Sequence, residues 1–179
     1  GARLDVAADA AGLPDARLAA AQELEIGHDL VKVYERNRIR CSLADGAGCC
    51  GALRFHLNDQ SSGRDDMRAL IDAWWPLVER GEVEAIVMTA SGCGSFVKEY
   101  AHHFQDDPSY LAKAERIAGI TKDLSEVVEP VSRKFNGRVA FQSPCSLQHG
   151  QQLRGQVEAL LRAAGYELAP VADGHLCCG

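Results

Sequence analysis

The chain has 179 residues, 46% of them hydrophobic, enough for the core of one domain or two small ones. Its net charge is −6, and lysine and arginine are scattered singly, which argues against a nucleic-acid footprint. No apolar run approaches the roughly 18 residues of a membrane span, and residues 1–30 carry no secretory-signal pattern.

In chain order, apolar Leu18, Leu24, Leu30, Val31 and Tyr34 predict one or two helices over 15–37, after Pro14. Ile39 to Leu43 reads as a short strand leading into the loop Asp45-Gly46-Ala47-Gly48. Over 64–80, Met67, Leu70, Ile71, Trp74, Leu77 and Val78 share one helix face, with Gly81 as the stop. Glu84 to Thr89 contains a buried-strand run, Ala-Ile-Val-Met. It ends in the loop Ala90-Ser91-Gly92-Cys93-Gly94, and a helix follows from Ser95 to His103. Pro108 opens a helix to Ala118, and 123–132 predict another. Arg138 to Gln142 and Tyr166 to Val171 read as strands on either side of a helix over Gln152 to Ala164. Strands alternating with helices predict an α/β fold, with parallel sheets flanked by helices.

Seven cysteines suit a ligand set better than a disulfide framework in a chain with this much apolar content. Two vicinal pairs stand out, Gly48-Cys49-Cys50-Gly51 and Leu176-Cys177-Cys178-Gly179. Neighbouring thiols close only a small strained disulfide ring, and a zinc site usually takes cysteines two to four residues apart. A multi-iron cluster removes the difficulty, because adjacent thiolates can bind different irons while glycine lets the backbone fold around the inorganic core. Buried apolar thiols would not account for a repeated Cys-Cys-Gly.

Cys49, Cys50, Cys93, Cys145, Cys177 and Cys178 each follow a predicted strand, where open α/β sheets bind ligands. Helix starts after Cys93 and Cys145 would aim positive dipole ends at thiolates. Cys41 lies inside a predicted strand and reads as a core residue.

The cysteines also outline a repeat. Cys145 precedes Cys177 by 32 residues (177 − 145 = 32), and the same offset back from Cys49 lands on Arg17 (49 − 32 = 17). No cysteine occurs before Cys41. The first half, 1–137, therefore has Cys49, Cys50 and Cys93 without an opening ligand. The second half, 138–179, has Cys145, Cys177 and Cys178 without a closing one. A start at Gly1 and a stop at Gly179, directly after a pair, lead us to expect a piece of a longer protein.

These motifs resemble those of the cysteine-rich CCG-domain family, which includes the cysteine-rich component of heterodisulfide reductases and lactate-utilisation iron–sulfur proteins. Within it, their order looks like that of the C-terminal portion of glycolate oxidase iron–sulfur subunits. The residues that carry the likeness are Gly46-Ala47-Gly48-Cys49-Cys50-Gly51-Ala52-Leu53 with His56, Thr89-Ala90-Ser91-Gly92-Cys93-Gly94, Val97-Lys98-Glu99-Tyr100, Pro144-Cys145-Ser146-Leu147-Gln148-His149 and the final Leu176-Cys177-Cys178-Gly179. Shorter matches lie between them at Ile71-Asp72-Ala73-Trp74, Glu84-Ala85-Ile86-Val87 and Asp107-Pro108-Ser109-Tyr110.

The resemblance implies a subunit with iron–sulfur ligation of the 4Fe–4S kind, by Cys49, Cys50 and Cys93 in one half and by Cys145, Cys177 and Cys178 in the other. It implies electron transfer from a flavoprotein partner that oxidises glycolate toward quinone. It also implies a cytoplasmic place, with the complex at the inner face of the cell membrane. Two alternatives stay open: a heterodisulfide-reductase-like subunit doing thiol–disulfide chemistry, and a cluster-free interaction module. Three features depart from the family: Arg17 stands at the opening position, residues 1–29 match poorly, and the ferredoxin-like segment is missing, with no Cys-x-x-Cys anywhere. A smaller difference is Ser146, where relatives usually carry histidine.

Several residues carry double readings. Gly51 and Gly92, with Gly46, Gly48 and Gly94, either make turns or free N–H groups to face cluster sulfurs. His56 and His149 either hydrogen-bond a cluster sulfur or are loop histidines, and His175 takes the second reading. His102 and His103 suit a helix end. Lys98 and Lys113 read as solvated helix faces, with an acidic partner as the alternative. Trp74 fits the apolar stripe, which leaves Trp75 for a subunit contact.

Overall fold

The structure, a computed structural model, describes the backbone of residues 4–8, Tyr34, residues 37–130 and residues 137–176. The expectations for 15–33, Arg17, Cys177, Cys178 and Gly179 lie outside the described residues.

The core is built where sequence periodicity is strongest. Helix α1 (Ala52–His56) is short, and Asp59 then caps α2 (Gln60–Glu79) by accepting from the Ser62 N–H at 3.3 Å. Met67, Leu70, Ile71, Trp74 and Val78 on α2 are buried. They share one core with Ile86 and Met88 of β3 (Ala85–Met88), each at most 2% exposed. Burying side chains of this size contributes about 1.5–3 kcal/mol each.

Chain direction then alternates. After β3 come α3 (Ser91–Lys98), α4 (Tyr100–His103) and α5 (Pro108–Ile120), which Asp107 caps through the Ser109 N–H. Strand β4 (Thr121–Asp123) returns parallel to β3, with Ile86 opposite Thr121 and Met88 opposite Asp123. Strands β1 (Leu4–Ala8) and β2 (Arg40–Leu43) complete a sheet of order β2-β1-β3-β4, in which β1 runs antiparallel to both neighbours. A second, parallel pair joins β5 (Arg138–Val139) to β6 (Glu167–Leu168), with α6 (Gln156–Ala163) between them in sequence.

The α/β architecture with parallel strands and flanking helices is as the sequence implies, and β1 adds an antiparallel neighbour. The helix expected over 123–132 is instead a short 3-10 turn, Leu124–Glu126. There Asp123 accepts from the Ser125 N–H while Glu126 bonds back to the Asp123 N–H, a reciprocal cap that the chain does not extend into a helix.

Candidate functional site

The first cysteine pair is placed by two glycines. Gly46 (φ +81°) turns the loop after β2, and Gly51 adopts φ +84°, so α1 can start immediately behind Cys50. A side chain at Gly51 would strike the Gly63 carbonyl of α2. The Gly51 N–H points at Cys49 Sγ, 3.4 Å away. Cys50 is buried and Cys49 is exposed.

Cys93 arrives from the opposite wall. β3 ends at Met88 and α3 starts at Ser91, so Cys93 sits in the first turn of the helix rather than in the loop before it. The positive end of the helix favours its thiolate there. The Cys50 thiol hydrogen-bonds the Cys93 sulfur, and this lowers the Cys93 pKa to about 7 despite burial and the nearby Cys49. The same bond, with burial, pushes the Cys50 thiol well above its ordinary value. One proton is thus shared in favour of Cys50, and Cys93 is the readier thiolate.

Cys49, Cys50 and Cys93 line one cleft of about 560 Å³, a size ordinary for a bound small molecule or cofactor. Gly92, His56, Glu99 and Ser146 share its wall. Leu53 and Leu57, 68% and 72% exposed, form an apolar lip. A set of three sulfurs is soft, the kind that selects zinc, copper(I) or iron–sulfur groups. Among the described residues, no three His, Cys, Asp or Glu side chains group tightly enough to hold a single metal ion.

The second cysteine set is only partly described. Cys145 opens a π-helical turn, Ser146–Gly150, so a helical turn does start after it, separate from α6. That turn reaches toward the segment leading to the second pair. Gln142 and Gln148 donate to the Gly174 carbonyl at 2.9 and 3.1 Å, and the His149 ring lies 3.1 Å from the His175 carbonyl. These contacts tie residues 174–175 to the turn that carries Cys145, while Cys177 and Cys178 lie beyond the described residues.

The structure brings together Cys49, Cys50, Cys93, Gly92 and His56, with Gly51 directly behind the pair. His149 and Cys145 are not among the residues lining that cleft. Cys41, in β2 and only half-buried, does not line it either. Lys98 is neither a bare solvated side chain nor an open docking group: its ammonium meets Glu126 at 2.8 Å and ties α3 to the turn after β4. Lys113 lies over the rings of Trp75 and Tyr110, so Trp75 is covered from within the chain, whereas Trp74 is buried as expected.

Two contributors escape the sequence reading. Tyr100 donates its hydroxyl to the Cys50 carbonyl at 2.7 Å, deep in the core. Its place in Val97-Lys98-Glu99-Tyr100 was the available signal. Ser146 reaches the first cleft from the second half, and nothing in its spacing points there.

A profile of the cysteine-rich domain family matches residues 17–98 and 139–179. The glycolate oxidase iron-sulfur subunit of Escherichia coli is 45% identical over 153 residues, covering 83% of this chain and 37% of that protein. Lactate utilization protein A of Geobacillus kaustophilus is 27% identical over 165 residues, 87% of this chain and 65% of its own length. A probable glycolate oxidase iron-sulfur subunit of Bacillus subtilis is 29% identical over 141 residues, covering 73% of this chain and 30% of its own length. The chain therefore spans less than two thirds of each of these relatives. No solved structure matches it. No helix among the described residues is long and apolar enough to cross a membrane.

Proposed function

Since this chain belongs to the cysteine-rich domain family, we propose that it is an iron–sulfur electron-transfer subunit of an oxidoreductase complex of the glycolate oxidase type. The observation that carries this is the meeting of Cys49, Cys50 and Cys93 on one cleft of about 560 Å³. Adjacent Cys49 and Cys50, with Cys93 on the same cleft, offer soft sulfur donors of the kind an iron–sulfur cluster takes, each iron binding its own sulfur. When bound, such a cluster, of the 4Fe–4S kind, accepts and releases single electrons.

Cys49, Cys50 and Cys93 hold it, while the Gly51 and Gly92 backbone and the His56 ring tune its surroundings. Cys93 offers its thiolate near neutral pH, and Cys50 must release its proton on binding, so loading is favoured as pH rises. Tyr100 fixes the Cys50 carbonyl, and Leu53 with Leu57 thins the water at the cleft mouth. Cys145, Cys177 and Cys178 are the second ligand set, with His149 as its tuning residue. The names of the relatives support a subunit of a glycolate-oxidising complex. In this reading a flavoprotein oxidises glycolate, electrons pass on to quinone, and the complex sits at the cytoplasmic face of the membrane.

The test is anaerobic addition of glycolate to the complex purified with its flavoprotein partner. Bleaching of the visible absorption of this subunit supports the reading. Bleaching by dithionite but not by glycolate would assign the subunit to another electron donor.

A further inference from the structure

We propose that Ser146, from the second half of the chain, supplies the fourth ligand atom of the first cysteine set. This rests on the cluster reading above and goes beyond it, because that reading leaves the first set with three sulfurs and no opening cysteine.

Ser146 lines the same cleft as Cys49, Cys50 and Cys93. Its hydroxyl shares a 2.8 Å hydrogen bond with the hydroxyl of Ser91, the first residue of α3, and Cys93 lies in that same first turn. Gln151 bonds the Ser91 carbonyl at 3.0 Å. Two glycines allow the close approach. A Cβ at Gly150 would collide with Ser95 Oγ, and one at Gly94 would lie 3.0 Å from Gln151 Nε2. The π-helical turn that carries Ser146 is a form concentrated at functional sites.

The other polar side chains on the cleft are less suited. Glu99 is exposed and lies at the C-terminal end of α3, the end opposite the turn that holds Cys93. His56 is exposed at the last position of α1, with its ring packed edge-on against Phe96 at 5.4 Å. The Ser95 hydroxyl is pressed against Gly150. Ser146 is half-buried, and its hydroxyl is held by Ser91. On binding, a bond forms between Ser146 Oγ and one iron, and the hydroxyl proton leaves to solvent. A metal ion makes that loss accessible, as it does for bound water.

The experiment reconstitutes the full chain anaerobically with iron and sulfide. It follows iron content, the electron paramagnetic resonance signal of the reduced protein and its midpoint potential. The signal absent from Cys93→Ala belongs to the first cleft. Ser146→Ala should lower iron retained at that site by about tenfold or more after desalting, a loss at least as large as outer-shell changes cause. Ser146→Cys should retain the iron and raise the potential, because a thiolate stabilises oxidised iron less than an alkoxide does. Ser91→Ala removes the same hydrogen bond but leaves the ligand atom, so it should retain the signal and its potential.

If Ser146→Ala keeps the signal and potential of the wild type, or if Ser91→Ala reproduces its loss, Ser146 is not a ligand, although the cluster reading stands. A wild-type chain that takes up neither iron nor sulfide overturns both.

Discussion

Tyr100 Oη donates to the carbonyl oxygen of Cys50 at 2.7 Å, with Tyr100 fully buried. One hydrogen bond thus fastens α4 to the backbone of the first cysteine pair. Tyr100→Phe would leave that carbonyl without its partner in a dry site. The expected cost is about 1–3 kcal/mol, read as a lower urea midpoint at unchanged slope. An unchanged midpoint would mean that the pair is held elsewhere.

The thiol pair makes a second prediction. In metal-free protein, the alkylation rate of Cys93 should rise with pH and reach half its maximum near pH 7, where its thiolate forms. Cys50→Ala removes the hydrogen bond that lowers that value, so the midpoint should move upward. Mass-resolved alkylation of each cysteine reads this directly. A midpoint that stays in place would assign the effect to the helix end instead.

Glu126 links α3 to the turn after β4 and sets an acid sensitivity. Burial alone would raise its pKa, but the Lys98 ammonium and the Asp123 N–H bond the carboxylate and hold it below its ordinary 4.5. The stabilisation is therefore complete above about pH 4.5 and is lost as pH falls through the lowered folded value. With both side chains mostly buried, it should be on the order of 1–2 kcal/mol. Glu126→Gln should flatten the acid limb of a stability-versus-pH curve, and an equally steep limb would count against the assignment.

Two glycines predict opposite signs. Gly119 in α5 has open space where a Cβ would stand, with nothing within 4 Å, so Gly119→Ala should stabilise by about 0.5–1 kcal/mol. Gly63 in α2 is equally helical, but a Cβ there would lie 2.9 Å from the Phe55 backbone nitrogen. Gly63→Ala should displace α1 and cost about 1–3 kcal/mol, measured by thermal unfolding.

The sequence is most legible where periodicity is long. The α2 stripe and the Ala-Ile-Val-Met strand appear within a few residues of their expected places. The helix ends shift because caps decide them: Asp59 starts α2 at Gln60, before the stripe begins. The five residues of α1 are too short to show a period, so that helix stays invisible although it carries His56. Cysteine spacing identifies Cys49, Cys50 and Cys93 as a group, since each follows a strand. Ser146 and Tyr100 could not be read in this way. Both act through tertiary contacts, the hydroxyl pair with Ser91 and the bond to the Cys50 carbonyl, and one-dimensional spacing does not encode these.

We propose that the cleft between α1 and α3 holds an iron–sulfur cluster on Cys49, Cys50 and Cys93. Iron and acid-labile sulfide counted per chain in anaerobically purified protein, wild type beside Cys93→Ala, tests it most directly. Iron and sulfide should be present together in the wild type, with a distinct loss of both in the variant. A folded wild-type protein that contains neither, or that holds zinc instead, would contradict it.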